Sequence, residues 1–259
     1  MEEKFFEPLN CGQCAGAELL DFDFSFAFQP IVDFRSRSVV AYEALVRGVA
    51  GEPAGTVLER LNDANRYRFD QACRVKAVKL AAELGVGVDL NINFFPNAVY
   101  KPELCIRTTL SAAEFYGFPI ERIVFEVTED ERIQDRQRLR SIIEYYQHLG
   151  FRTAIDDFGA GYAGLNLLAA YQPNYIKLDR ELIADIDAQP IRQAIVRGIL
   201  QTCGELGVGV LAEGVETAEE FGWLQDCGVE LFQGYWFARP AFEALPEVPV
   251  ERYAGQGSA

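Results

Sequence analysis

The chain has 259 residues, nearly half of them hydrophobic, and a formal net charge of −15. That length supports one large α/β domain or two small ones. The acidic balance lacks the basic footprint of a sequence-independent nucleic-acid binder, so no DNA partner is expected. No run of about 18 apolar residues exists to cross a bilayer, and the Met1-Glu-Glu-Lys4 start lacks a signal-peptide pattern. A cytoplasmic chain without membrane insertion is expected. Its six cysteines are dispersed, as suits buried thiols in a reducing compartment.

The elements follow in order. Phe24–Val32 reads as a strand, and Val39–Val46 follows a polar turn at Arg35–Ser38, so the two are expected to form an antiparallel hairpin. Thr56–Ala64 and Phe69–Leu84 read as helices, and Gly87–Asn93 as a strand. A helix at Thr109–Tyr116 leads to a strand at Arg122–Glu129. Leu139, Ile142, Ile143, Tyr146 and Leu149 share the spacing of one buried helical stripe, closed by Gly150. Strand Arg152–Asp156, a short helix at Ala163–Ala170 and strand Tyr175–Leu178 come next. In the helix Ile191–Leu206, the residues Ile195, Ile199, Cys203 and Leu206 are expected to lie on one side. Strand Gly209–Ala212, helix Ala218–Cys227 and strand Glu230–Gly234 complete the series.

Strand–helix alternation favours a parallel sheet, and eight strands favour its closure. The expected fold class is α/β: a modified TIM-type (β/α)8 barrel with one antiparallel strand near the N-terminus. The expected division is an N-terminal extension at 1–20, a single domain at 21–245 and a C-terminal tail at 246–259, with a loose end from Glu251 onward.

Polar residues fall at the ends of these strands. Asp156 and Asp157 stand side by side before Phe158-Gly159. Two carboxylates this close repel unless a cation compensates; a strand end followed by a capping Asp is the plainer alternative. Glu43, Asn91 with Asn93, Glu126 with Glu129, Lys177 with Asp179, Glu213 with Glu216, and Gln233 hold corresponding positions on other strands. In a barrel those ends converge on one face. An oxygen-rich set of this kind suits a hard cation such as Mg²⁺ or Mn²⁺ and metal-assisted phosphate hydrolysis. The single histidine, His148, falls in the last turn of a helix, where a structural role is expected. Cys11 and Cys14 form a lone pair without a second zinc-type partner, and read as chance or structural, with intersubunit metal binding or redox sensing as the minor alternative.

The ordered set resembles the EAL domain family of cyclic di-GMP phosphodiesterases. Glu43-Ala44-Leu45 matches the signature tripeptide, followed by Arg47. Gln29-Pro30-Ile31, Asn91-Ile92-Asn93, Glu126 with Glu129, Asp156-Asp157-Phe158-Gly159, Lys177 with Asp179, Glu213 through Glu216, and Gln233-Gly234 follow in the family's order, from about Phe24 to Pro240. Ala160 replaces a common Thr, Asn93 a usual Ser, and Gly48 a frequent aromatic residue.

The resemblance implies cyclic di-GMP as substrate, linear pGpG as product, and two Mg²⁺ or Mn²⁺ ions per site. It implies Glu43, Asn91, Glu126 and Asp156 as ligands of one ion. Asp156 would bridge to a second ion held by Asp157 and, through water, by Glu213 and Gln233. Glu213 is the candidate general base, although the metals alone are a competing activator of water, and Lys177 would orient the water or neutralise phosphate charge. Glu129 would brace the loop after Asp157. Arg47 would contact the phosphate, with a structural ion pair as the rival role, while Gln29, Leu45, Asp179, Glu216 and Gln233 would lie on the substrate side. A homodimer through the helices after the fifth and sixth strands is also implied. The alternative is a receptor that binds cyclic di-GMP without cutting it, and a third reading is a hydrolase of another phosphodiester.

Overall fold

The computed structural model describes residues 20–99, 101–128, 136–161 and 164–253. The expectations for Cys11, Cys14 and Glu129 lie outside the described residues. Eight strands close into a barrel: β1 (Ser25–Asp33), β2 (Ser38–Arg47), β3 (Asp89–Asn93), β4 (Ile123–Thr128), β5 (Arg152–Phe158), β6 (Tyr175–Leu178), β7 (Gly209–Ala212) and β8 (Leu231–Phe232). β2 through β8 run parallel. β1 is antiparallel to both β2 and β8, and closes the ring. The sequence missed a short β9 (Ala241–Phe242), which lines up with the first half of β1. β8 is equally short, but it follows a helix in the strand–helix alternation, and β9 does not.

Helices fill the connections: α1 (Ala54–Leu58), α2 (Arg66–Glu83), α3 (Pro102–Cys105), α4 (Arg107–Tyr116), α5 (Arg136–His148), α6 (Gly164–Ala170), α7 (Arg180–Ile183), α8 (Pro190–Leu206) and α9 (Ala218–Asp226). α1 stops at Leu58 rather than Ala64, because Asn62 and Asn65 each accept a hydrogen bond from the other's backbone N–H and build a turn. In α8 the inner stripe is Val196 and Cys203, both fully buried, with Ile199 and Leu200 against the core. Ile195 and Leu206, expected on the same side as Ile199 and Cys203, are exposed. Both ridges are apolar, so spacing alone cannot say which one the barrel covers. The loose end expected from Glu251 is tied down as far as Tyr253, which is buried, while Arg252 stacks over the Trp236 ring at 3.8 Å.

The site is positioned by strand periodicity. Successive side chains on a strand face opposite sides. Ile31, Ala41, Val124, Ala154, Tyr175 and Leu211 form one small cluster, separate from the main core. Phe125, Val127, Ile155, Ile176, Leu178, Ala212 and Phe232, on the opposite parity, belong to the main core shared with the helices. The small cluster is therefore the apolar layer inside the barrel. Two residues further toward the mouth, the same inward parity gives Gln29, Glu43, Glu126, Asp156, Lys177, Glu213 and Gln233. Register aligns the rows: Gln29 pairs with Glu43, Glu43 with Asn91, Asn93 with Glu126, and Thr128 with Asp156. The polar residues are thus an interior layer of the barrel, stacked on an apolar one, rather than decorations at strand ends.

Candidate active site at the barrel mouth

Lys177 is fully buried, and its Nζ lies 3.0 Å from Glu43, 2.9 Å from Asp156, 3.1 Å from Glu213 and 3.4 Å from Glu126. Burial by itself would lower the lysine's pKa, but Asp156, Glu126, Glu213 and Glu43 hold it well above the ordinary value, so it stays an ammonium. One positive charge faces four carboxyl groups. Burial pushes the Glu126 carboxyl well up, helped by the nearby Glu43. Glu213, at the more accessible edge, is also pushed well up by burial, against the pull of Lys177. The cluster is short of positive charge.

Amides brace it. Gln233 Nε2 donates to Glu43 at 2.8 Å and to Gln29 Oε1 at 3.3 Å, and Gln29 in turn donates to the Ala238 carbonyl. Asn91 Nδ2 donates to Glu126 at 2.6 Å and contacts the Tyr175 hydroxyl. Asn93 Nδ2 reaches Glu43 at 3.1 Å and Glu126 at 3.4 Å. The buried oxygens Asn91 Oδ1, Asp156 Oδ1, Glu213 Oε2 and Gln233 Oε1 accept no hydrogen bond. Unsatisfied buried acceptors are costly; here the ammonium sits beside two of them, and the donor set fits a hard cation. Carboxylate oxygens of Glu43, Glu126 and Asp156 lie within 4.8 Å of one another, as do those of Asp156, Asp157 and Glu213. Asp156 belongs to both groups.

Neighbouring residues on a regular strand point apart, so Asp156 and Asp157 need a reason to share a site. β5 shifts register between Ile155 and Phe158, and Asp157 adopts φ +53°, a left-handed conformation uncommon outside glycine. The irregularity re-aims Asp157 toward its neighbour. That conformation costs a non-glycine residue about 1 kcal/mol or more. Burial, reinforced by the charge of Asp156, pushes the Asp157 carboxyl up to about 6.

A pH dependence follows from that shift. The ordinary Asp value is 3.8, so the metal-free folded chain holds a proton that the unfolded chain releases, and Asp157 weakens the fold as pH rises from about 4 to about 6. A cation needs the ionised carboxylate. Mn²⁺ affinity is therefore expected to rise as pH increases through about 6 and to level off above it. Calorimetric titration across that range checks this; an affinity that does not change there would contradict it.

Other expected site residues lie around the cluster. Leu45 and Arg47 are half-buried at the mouth end of β2, and Arg47 donates to the Val46 carbonyl. Asp179 caps α7 by accepting from the Glu181 N–H at 2.7 Å. Glu216 pairs with Arg180 at 3.1 Å. Three residues escaped the sequence reading. Tyr175 lies beneath the cluster, on the inward parity two residues before Lys177, where the pattern would have found it. Glu220 is buried and accepts from the N–H groups of Asp185, Glu216 and Thr217, while Arg180 pairs with it and donates to the Gly214 carbonyl. Together Arg180 and Glu220 tie the loop after β6 to the loop that carries Glu213. Gly234 allows the close approach beside Gln233: at φ +155°, a Cβ there would sit 2.1 Å from the Val215 carbonyl oxygen.

A closed barrel with carboxylates, amides and a lysine gathered at the strands' C-terminal ends defines a protein equipped to hold hard cations beside an anionic ligand. A model of the EAL domain family matches residues 17–240, and the chain belongs to that family. Among solved structures it is similar to a standalone versatile EAL protein from Vibrio cholerae O395 in its c-di-GMP-bound form, with 56% identity and TM-score 0.88, covering 91% of this chain and all of that one. The manganese/cy-diGMP complex of Klebsiella pneumoniae BlrP1 is 37% identical with TM-score 0.82, over 89% of this chain and 59% of that one. Among curated relatives from Escherichia coli (strain K12), the blue light- and temperature-regulated antirepressor BluF is 34% identical over 86% of this chain. The probable cyclic di-GMP phosphodiesterase PdeN is 31% identical over 84%. The chain spans 56% and 43% of the lengths of these two proteins. Among the described residues, no helix is long and apolar enough to cross a membrane.

Proposed function

We propose that this chain is a metal-dependent phosphodiesterase that hydrolyses cyclic di-GMP to linear pGpG in the cytoplasm. The observation that carries the proposal is Asp156, shared between two groups of carboxylates each close enough to hold one ion. Glu43, Asn91, Glu126 and Asp156 would hold the first Mg²⁺ or Mn²⁺; Asp156 and Asp157, with Glu213 and Gln233 through water, would hold the second. Such a pair of ions would supply Lewis-acid polarisation of a phosphate oxygen and would lower the pKa of water so that hydroxide is available near neutral pH. Glu213, at the accessible edge, takes the proton of the attacking water. Lys177, held as an ammonium, offsets negative charge that develops on the phosphate. Gln29, Leu45, Arg47, Asp179, Glu216 and Gln233 would border the substrate, and Glu129 would support the loop after Asp157.

The test is incubation with cyclic di-GMP in Mn²⁺ or Mg²⁺ and in EDTA, following pGpG. Full activity in EDTA would sink the metal mechanism. Glu213→Gln is expected to keep substrate affinity and to lower kcat by about 10²-fold or more; near-normal turnover would remove it as the base.

BluF, named an antirepressor, favours a second reading, a receptor that binds cyclic di-GMP without cutting it. Tight binding without product in the same assay would select it. Leu165 on α6 and Ile191 and Ile195 on α8 are exposed large apolar side chains on the helices after the fifth and sixth strands, and support a homodimer through them. Sedimentation equilibrium is expected to return twice the chain mass; a monomer at all concentrations would rule this out.

A further inference from the structure

The apolar layer beneath the carboxylates is made of Ile31, Ala41, Val124, Ala154, Leu211 and Tyr175. Tyr175 alone among these six ends in a polar group. It is buried on β6, two residues before Lys177. Its hydroxyl crosses the barrel interior and meets Asn91 Nδ2 on β3, 84 positions away in the chain.

Asn91 is fully buried. Its side-chain amide carries two N–H donors and one carbonyl acceptor. Nδ2 donates to Glu126 Oε1 at 2.6 Å and to the Tyr175 hydroxyl. A cation bound to Glu126 needs that carboxyl ionised, and an ionised carboxylate only accepts. The amide nitrogen must then stay on the Glu126 side. Glu126 by itself is a single pivot on β4, about which the amide could still turn. Tyr175 supplies a second anchor from another strand. With both N–H groups taken, Oδ1 is the open atom of the amide, buried and accepting no hydrogen bond. An amide oxygen is the donor a hard cation takes from asparagine.

We propose that Tyr175 is a positioning residue for the first cation: by accepting the second N–H of Asn91, its hydroxyl holds Oδ1 ready for the ion that Glu43, Glu126 and Asp156 would share. The proposal rests on the metal reading of the cluster. It adds a group that touches neither the ion nor the substrate and acts through Asn91.

Calorimetric titration of the full chain with Mn²⁺, without substrate, tests it. Tyr175→Phe keeps the ring and removes the hydroxyl, and thermal unfolding in EDTA checks that the variant is folded. Its Mn²⁺ affinity is expected to fall about 10-fold, the scale set by hydrogen-bond partners of metal ligands. Asn91→Ala should also weaken binding, and adding Tyr175→Phe to it should cost nothing more, because the effect runs through the amide. Turnover of cyclic di-GMP by Tyr175→Phe should be depressed at limiting Mn²⁺, with kcat within about 2-fold of wild type at saturating Mn²⁺. General loosening of the barrel would not be rescued by metal. Unchanged Mn²⁺ affinity in Tyr175→Phe, or an equal fall in the Asn91→Ala background, would overturn the proposal. Hydrogen exchange in the metal-free wild type reads the anchoring without any change at Tyr175. Both Asn91 side-chain N–H signals, identified by their loss in Asn91→Ala, should exchange slowly, and fast exchange of either would overturn it. Mn²⁺ binding by the wild type with no effect of Tyr175→Phe removes this role alone. A wild-type chain that does not bind Mn²⁺ would overturn the metal reading, and this role with it.

Discussion

Asp156→Asn is expected to abolish cyclic di-GMP hydrolysis, with kcat falling by about 10³-fold or more, since the charge stabilisation a metal pair supplies is worth several kcal/mol. Asp156 contributes an oxygen to both carboxylate groups, so one substitution would weaken both proposed ion sites. Asn keeps the size of the side chain and removes one negative charge from a cluster already crowded with them. Metal-free thermal stability should therefore hold or rise, which separates lost chemistry from lost fold. Assays with and without Mn²⁺, paired with thermal unfolding in EDTA, read both effects. A variant retaining more than about a tenth of wild-type kcat would show that Asp156 is not the shared ligand.

Lys177→Met is expected to cut metal-free stability severely. Nζ is the cation that Glu43, Glu126, Asp156 and Glu213 surround, and removing one partner of a buried ion pair costs about 3–5 kcal/mol. For a chain of this size that is a fall in Tm of about 6–20 °C. Two dependences distinguish this from ordinary core damage. Mn²⁺ should restore much of the loss, because it supplies positive charge to the same oxygens. Acid should also narrow the deficit: Glu126 and Glu213 already have raised pKa values, so they take up protons in the folded state as pH falls, which relieves the repulsion. Unfolding curves in EDTA and in Mn²⁺ at several pH values check both. A variant as stable as wild type in EDTA would contradict the account of Lys177 as the cluster's internal counter-ion.

Short apolar runs between helical stripes, alternating with helices, were enough to place all eight barrel strands, and the hairpin signal at Arg35–Ser38 marked the one antiparallel neighbour. Such local features are readable because a strand must put alternate residues inside the barrel whatever surrounds it. β9 and the inward ridge of α8 were not readable. β9 lies outside the strand–helix alternation and exists only because β1 offers it an edge, and α8 carries apolar residues on both ridges, so the choice depends on what the barrel covers.

Within the candidate site, residue types and order were fully visible in the sequence: Glu43, Asn91, Glu126, Asp156, Lys177, Glu213 and Gln233 stand at corresponding points of successive strands. Their chemistry was visible too, because oxygen donors without histidine leave hard cations as the fitting partners. Only the tertiary structure decided that they form one interior layer, that Lys177 sits among four carboxyl groups, and that a shift in β5 turns Asp157 back toward Asp156. It also decided the supporting contacts of Tyr175, Arg180 and Glu220. The physical reason is distance: apart from the Asp156–Asp157 step and the Glu220 contacts with Glu216 and Thr217, these contacts join residues from 21 to 134 positions apart, and barrel closure, which no local pattern encodes, sets which of them meet.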